Sequence, residues 1–279
     1  MAFAHKHCFW YFGMAAVLWA GTLSPAWSFS TTPAVQIIEA KPGETAKMVY
    51  TVTNDTDKKI TLDFQLKEYF SLPENKSFKI SDWLEPSTNK IIIPAHKSRL
   101  VPFKVKTPKN AVGELTGYIS FIPEVKEEAK PKGHAGGIQT HIVTLITSAV
   151  YVRIKGTAIG EADLGDVRVQ NITENPSQPA QVQASVVVKN TGNVHQRPSV
   201  HFDIENQKGD LVAAIDIASG WPVMAKSEMP YKATTKGALP AGNYVIKTKV
   251  SFTPAVFIEK KTSFTMDDSG QGTNYKDLK

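Results

Sequence analysis

IQTHIVTLITSAVYVRI, residues 138–154, decides how this chain is read. It carries one formal charge, Arg153, and follows a stretch rich in lysine, glutamate, glycine and proline. As a membrane helix it fails, because it falls short of the ~20 apolar residues a span needs and contains His141 and several hydroxyls. Its wealth of β-branched residues makes it a strand. The even positions share one face, where apolar Ile138, Ile142, Ile146 and Val150 are interleaved with Thr140, Thr144 and Ser148. At ~3.3 Å per residue the stretch would run beyond ~50 Å, whereas strands usually span ~17–20 Å, so a bend is expected. The later part, 149–154, is expected in a core and at a domain connection, the earlier part at a sheet edge.

Upstream the same two-residue period recurs, broken by turn residues roughly every 8 to 12 positions, the spacing of a β-sandwich. In AKMVYTVTN (46–54), Met48, Tyr50 and Val52 share a face, and in ITLDFQL (60–66) so do Ile60, Leu62, Phe64 and Leu66. KPGE and DTDK supply the turns between runs. Pro94, Pro102 and Pro108 are expected to interrupt the strands around them. PEVKEEAKPKGHAGG (123–137) has no apolar period and reads as a long mobile hairpin loop, either a plain connector or a functional segment. After Gly156 the pattern restarts, with NTGN and NQKGD marking turns.

The chain is therefore expected to be all-β, with two immunoglobulin-like β-sandwich domains in tandem. The bounds are residues 29–156, including the 123–137 loop, and 157–266, with 267–279 left as a frayed polar tail. Residues 1–28 read as a signal peptide: Lys6, the uncharged run FWYFGMAAVLWAGTL, then Ala26 and Ser28 at three and one positions before a cut at Phe29. The alternative is an uncleaved anchor, for which the apolar run is short. Export to the periplasm is expected. The only cysteine, Cys8, lies in that leader, so stability must come from the cores rather than from disulfides. The net charge of +6 is spread along the chain with no arginine-rich run, which excludes an obvious nucleic-acid surface and argues for solubility.

Chemistry-bearing motifs are scarce. Without a thiol in the mature chain, thiol catalysis and cysteine-bound zinc are excluded. GxSxG, HExxH and a phosphate-binding glycine loop do not occur. His195 and His201 are separated by an even offset that would place both on one strand face, but Pro198 lies between them and no third ligand accompanies them. No catalytic residue, metal site or cofactor is assigned, and an enzyme is not expected. Asn54, Asn75 and Asn171 stand in N-x-S/T tripeptides, read first as turn or loop markers.

The order of features, from AVQIIEAKPGETAKMVYTVTNDTDKKITLDFQL through GYISFIPE and a long polar loop into 138–154, resembles the periplasmic chaperones of pilus assembly. The resemblance implies that the strand after the loop completes the open sandwich of a subunit by β-strand addition. It makes Ile138, Ile142, Thr144, Ile146 and Val150 the expected partner-binding residues. It also implies a basic pair holding the partner's terminal carboxylate, at places that fall near Ile38 and Thr147 here, both uncharged. The chain is similar as well to WxL-interacting cell-surface proteins, through its PGE turn, its GYISF strand, NTGNVHQRPSVHFDIEN and LPAGNYVIKTKV. The expected partner is a pilin-like or other envelope protein, with an outer-membrane or cell-wall component as a further possibility. A structural or surface-interaction protein is the alternative reading.

Overall fold

The computed structural model describes residues 29–124, 144–175, 177–253 and 255–278. The expected signal peptide, nearly all of the 123–137 loop, Ile138 and Ile142 lie outside these residues.

The first sandwich is built from β1 (Phe29–Thr32), β2 (Val35–Ala40), β3 (Thr45–Asn54), β4 (Ile60–Glu68), a short helix α1 (Ile80–Trp83), β5 (Leu84–Pro86), β6 (Lys90–Ile93), β7 (Ser98–Lys106), β8 (Glu114–Pro123) and β9 (Ile146–Ile154). One sheet has the order β1-β3-β7-β5, the other β2-β9-β8-β4-β6. The predicted faces close on each other: Met48, Tyr50, Val52, Ile60 and Leu62 are buried, with Phe64 and Leu66 packed against them. Tyr50 meets Phe103 and Phe121 edge-on at ring separations of 5.7 and 5.4 Å, and Phe64 touches the same two rings. Each such pair adds roughly 0.5–1.5 kcal/mol beyond the area it buries.

Pro102 does not interrupt its strand. β7 pairs with β3 along its whole length, with Val49 opposite Pro102. On its other side β5 reaches only as far as Phe103, and Ser87 then donates its N–H to the Pro102 carbonyl. The N–H that proline lacks thus falls beyond the last β5 pair, where no ladder bond is lost.

The second sandwich comprises β10 (Ala162–Ile172), β11 (Gln181–Asn190), β12 (Ser199–Asn206), β13 (Leu211–Ile217), β14 (Glu228–Lys236), β15 (Gly242–Thr253), β16 (Val256–Met266) and β17 (Gly272–Leu278). Its sheets run β10-β11-β14 and β13-β12-β15-β16-β17 around a core that includes Val186, Phe202, Ile246 and Phe264. The expected frayed tail is corrected here: β17 pairs antiparallel with β16 from Met266↔Gly272 to Lys261↔Leu278. One aromatic residue anchors it. The Tyr275 hydroxyl accepts from the Val169 N–H at 2.7 Å and reaches the Val169 carbonyl at 3.1 Å, and its ring lies along Phe264. A side chain at Gly272 would stand 2.5 Å from the Val169 carbonyl oxygen, so this crossing requires glycine.

Candidate functional site

β9 lies between two strands over only part of its length. From Glu114↔Arg153 to Phe121↔Ile146 it pairs antiparallel with β8. On its other side the parallel partner β2 covers Ala149 to Ile154 and stops at Val35↔Ala149. Upstream of Val35 the chain crosses to the opposite sheet, where Phe29–Thr32 pairs with β3. Ile146 and Thr147 therefore lie beyond the reach of β2 among the described residues, and Thr147, which faces the same side as Ala149, has backbone groups positioned to pair with another extended chain, whereas Ser148 is fully buried and its hydroxyl donates to the Pro33 carbonyl at 3.3 Å.

The expected partner-binding residues divide. Thr144 is exposed, as is its neighbour Leu145 (51%), and Ile146 is half-buried against the first core. Val150 is fully buried between β8 and β2, so its side chain serves the domain's own core. Of the two places where the resemblance implies a basic pair, Ile38 packs against the first core, while Thr147 is exposed and shares a hydrogen bond with Ser120 at 2.9 Å. Neither position offers a charge to a carboxylate.

β9 also carries the junction between the sandwiches. Glu114, at the start of β8, is buried, and its carboxylate accepts the backbone N–H of His195 at 3.1 Å. The His195 ring places Nδ1 2.8 Å from both carboxylate oxygens, which requires the hydrogen on Nδ1. Arg153 on β9 donates to Glu114 and to the His195 carbonyl, each at 3.4 Å. The Tyr151 ring stacks on His195 at 3.8 Å, and burial pushes the Tyr151 hydroxyl up against the opposing pull of Arg197. Asn193 welds the connection further, accepting the Ile159 N–H at 2.6 Å and donating to the Thr157 carbonyl at 2.8 Å. Gly113 sits against it with φ +63°, and a Cβ there would lie 2.5 Å from the Asn193 carbonyl oxygen.

Beside this junction a cleft of about 430 Å³ opens between the sandwiches. Arg153, Lys155, Arg197 and Glu39 bring charge to it, while Phe252 and Val256 from the β15–β16 turn line it with apolar surface. Lys155 stands 4.0 Å from Glu39. Glu114, Arg197, Phe252 and Val256 were invisible as a group in the sequence. Glu114 and His195 are 81 positions apart, and the apolar pair sits in what reads as an ordinary hairpin turn.

His201 does not join His195. Pro198 separates them: His195 is buried in the loop before β12, whereas His201 is partly exposed on β12 between Asp203 (3.1 Å) and Asp216 (2.7 Å). The bond to Asp216 raises the His201 pKa. Among the described residues no cluster of three metal-ligating side chains forms. Asn54 and Asn75 are buried, and Asn171 is tied to Leu239 through both ends of its amide. Asn54 closes β3 and Asn75 sits in the Pro73–Asn75 turn, in keeping with their reading as turn or loop markers, whereas Asn171 lies within β10 opposite Val182.

No helix among the described residues is long and apolar enough to cross a membrane. No family model and no curated protein matches the chain by sequence. Among solved structures, the chain is similar to a class 5 fimbriae chaperone, CfaA, at 11% identity and a TM-score of 0.46, over 84% of this chain and 98% of that one. It is similar to the E. coli chaperone DraB at 11% identity and a TM-score of 0.43, over 91% and 96%. Against the Salmonella enterica SafA pilin in complex with the SafB chaperone the values are 10% and 0.44, over 91% and 97%. The fold of the chain is that of two immunoglobulin-like β-sandwiches in tandem, each closed around its own core.

Proposed function

We propose that this chain is an exported, non-enzymatic assembly chaperone that holds a pilin-like or other envelope subunit by β-strand addition along the open edge of β9. The observation that carries the reading is the mismatch in coverage: β8 follows β9 back to Ile146, while β2 reaches only Ala149. An extended partner strand laid beside Thr147 would satisfy its backbone groups and continue past exposed Leu145 and Thr144 toward Ile142 and Ile138. Each added residue pair gains main-chain hydrogen bonds, and the apolar positions supply specificity. A subunit with an incomplete sandwich needs such a strand to keep its core and edges from aggregating. The place of action is the periplasm, after removal of residues 1–28.

Co-purification from the periplasm tests this. A subunit is expected to accompany the wild-type protein and to be lost from an Ile142→Asp, Ile146→Asp variant whose circular dichroism and Tm show it folded. Unchanged recovery of the subunit by that folded variant overturns strand addition. A protein partner retained by the variant would instead favour a surface-interaction role for the two sandwiches.

A further inference from the structure

The outer face of the β1-β3-β7-β5 sheet divides along its strands into an apolar half and a basic half. The side chains turned away from the first core meet in cross-strand pairs: Thr51↔Leu100, Val49↔Pro102, Lys47↔Lys104 and Thr45↔Lys106. Their sequence neighbours Met48, Tyr50, Val101, Phe103 and Val105 are buried on the inner side. Leu100 is 67% exposed and Val49 43%, with exposed Pro102 beside both. Lys47 and Lys104 stand directly opposite each other, and neither forms an ion pair among the described residues. Like charges opposed across a ladder cost stability. On this face the carboxylate of Glu85, from β5, is taken by Lys106 at 2.6 Å. Exposed Lys41 and Lys109 add charge at the same end, where the Gly43 N–H donates to the Thr107 carbonyl and Glu44 accepts the Lys41 N–H.

Lysine is depleted where two proteins meet, so a face that opposes two of them is poorly suited to a protein partner. It suits an anionic lipid surface, where each lysine near the headgroups strengthens attachment and the long stems lie along apolar ground. We infer that the outer face of β3 and β7 docks on a membrane surface rich in anionic phospholipid. Lys47, Lys104 and Lys106 meet the headgroup phosphates, and Val49, Leu100 and Pro102 seat against the apolar boundary below them. The inference does not rest on strand addition, because β9 belongs to the opposite sheet of the same sandwich.

Co-sedimentation of the mature protein with lipid vesicles tests it. Vesicles of equal parts phosphatidylcholine and phosphatidylglycerol are expected to bind at least about tenfold more tightly than pure phosphatidylcholine at low salt, a preference that salt weakens. Lys47→Glu, which sets an acid opposite Lys104, and Leu100→Asp are each expected to reduce binding at least about tenfold. Both side chains point outward, so Leu100→Asp is expected to keep Tm within about 2 °C of wild type and Lys47→Glu to match or exceed it. Lys232→Glu makes the same charge change on exposed β14 of the second sandwich and is expected to bind as wild type does. Both face variants are expected to retain a co-purified subunit, and Ile146→Asp to retain vesicle binding, so failure here is separable from failure of strand addition. Equal binding to the two vesicle types, undiminished binding by the folded face variants, or an equal loss in Lys232→Glu overturns the inference. Capture of an acidic, apolar peptide by this face without vesicle binding assigns it to a protein and overturns the inference as well.

Discussion

Glu114 at the start of β8 and His195 in the loop before β12 meet across the two sandwiches, with the His195 Nδ1 2.8 Å from both carboxylate oxygens and the two side chains only 2% and 1% exposed. A carboxylate closed off from water in this way depends on its partners, because burying it unpaired is costly. The pair therefore fixes how the two domains sit.

Breaking it from one side is expected to be severe. His195→Leu leaves Glu114 buried with only the backbone N–H and Arg153, and a loss of about 3–5 kcal/mol is expected from urea unfolding. The double variant Glu114→Leu, His195→Leu removes the orphaned charge and is expected to recover a good part of that loss. Wild-type stability in His195→Leu would show that the pair contributes little.

Tyr50 offers the opposite case. Its hydroxyl is buried in the first core with no hydrogen-bond partner among the described residues, inside a ring of Phe64, Phe103 and Phe121. Tyr50→Phe keeps the rings and removes the unsatisfied group, whose desolvation costs about 1–3 kcal/mol. The variant is expected to match or exceed wild type in urea midpoint. A clear drop would reveal a partner for the hydroxyl.

The buried tyrosines also set the alkaline limit. Burial pushes the Tyr118 and Tyr231 hydroxyls up to about 12, and raises that of Tyr50 as well. Because these folded pKa values exceed the ordinary value of ~10, ionisation favours the unfolded chain. Their stabilising contribution is complete below pH ~10 and is lost as pH rises through about 12. Urea midpoints measured from pH 9 to 12 alongside tyrosinate absorbance are expected to fall together. A flat midpoint across that range would contradict the assignment.

Asn54 and Asn190 occupy matching places at the ends of β3 and β11. Asn54 donates to the carbonyls of Lys58, Ile93 and Pro94 and accepts the Thr56 N–H at 3.0 Å. Asn190 donates to those of Val194 and Val223 and accepts the Gly192 N–H, also at 3.0 Å. Replacing either by alanine leaves buried carbonyls unmet and is expected to cost about 1–3 kcal/mol, read as a lowered Tm. Little change in either variant would show that water replaces the amide.

The carboxyl-terminal strand makes a further claim. Tyr275 is tied to Val169 at both main-chain groups and stacks on Phe264, so Tyr275→Ala is expected to destabilise the second sandwich by about 3–5 kcal/mol. Limited proteolysis should then release the segment after Met266. Resistance equal to wild type would mean that the ladder to β16 suffices alone.

Much of the fold was legible because a sandwich writes its inner faces as a two-residue period. Met48, Tyr50, Val52, Ile60 and Leu62 announce one core before any contact is known, and the alternation that restarts after Gly156 announces a second. The strand character of Ile146–Ile154 and the burial of its later half follow from β-branched content and from length alone. β17 was not legible, because its alternation has a single aromatic anchor whose partner, Val169, lies 106 residues away. Nor does periodicity say where a strand loses its neighbour. The open edge at Ile146–Thr147 arises because the chain before Pro33 crosses to the other sheet. Likewise, the meeting of Glu114 with His195, and the cleft that sets Arg197 with Phe252 and Val256, exist only once two separately folded sandwiches are locked at one angle. Sequence thus determined the strands and their inner faces, since those depend on local alternation and burial. Tertiary structure alone decided which edge stays free and which charge stays unpaired, since both depend on contacts between residues far apart in the chain.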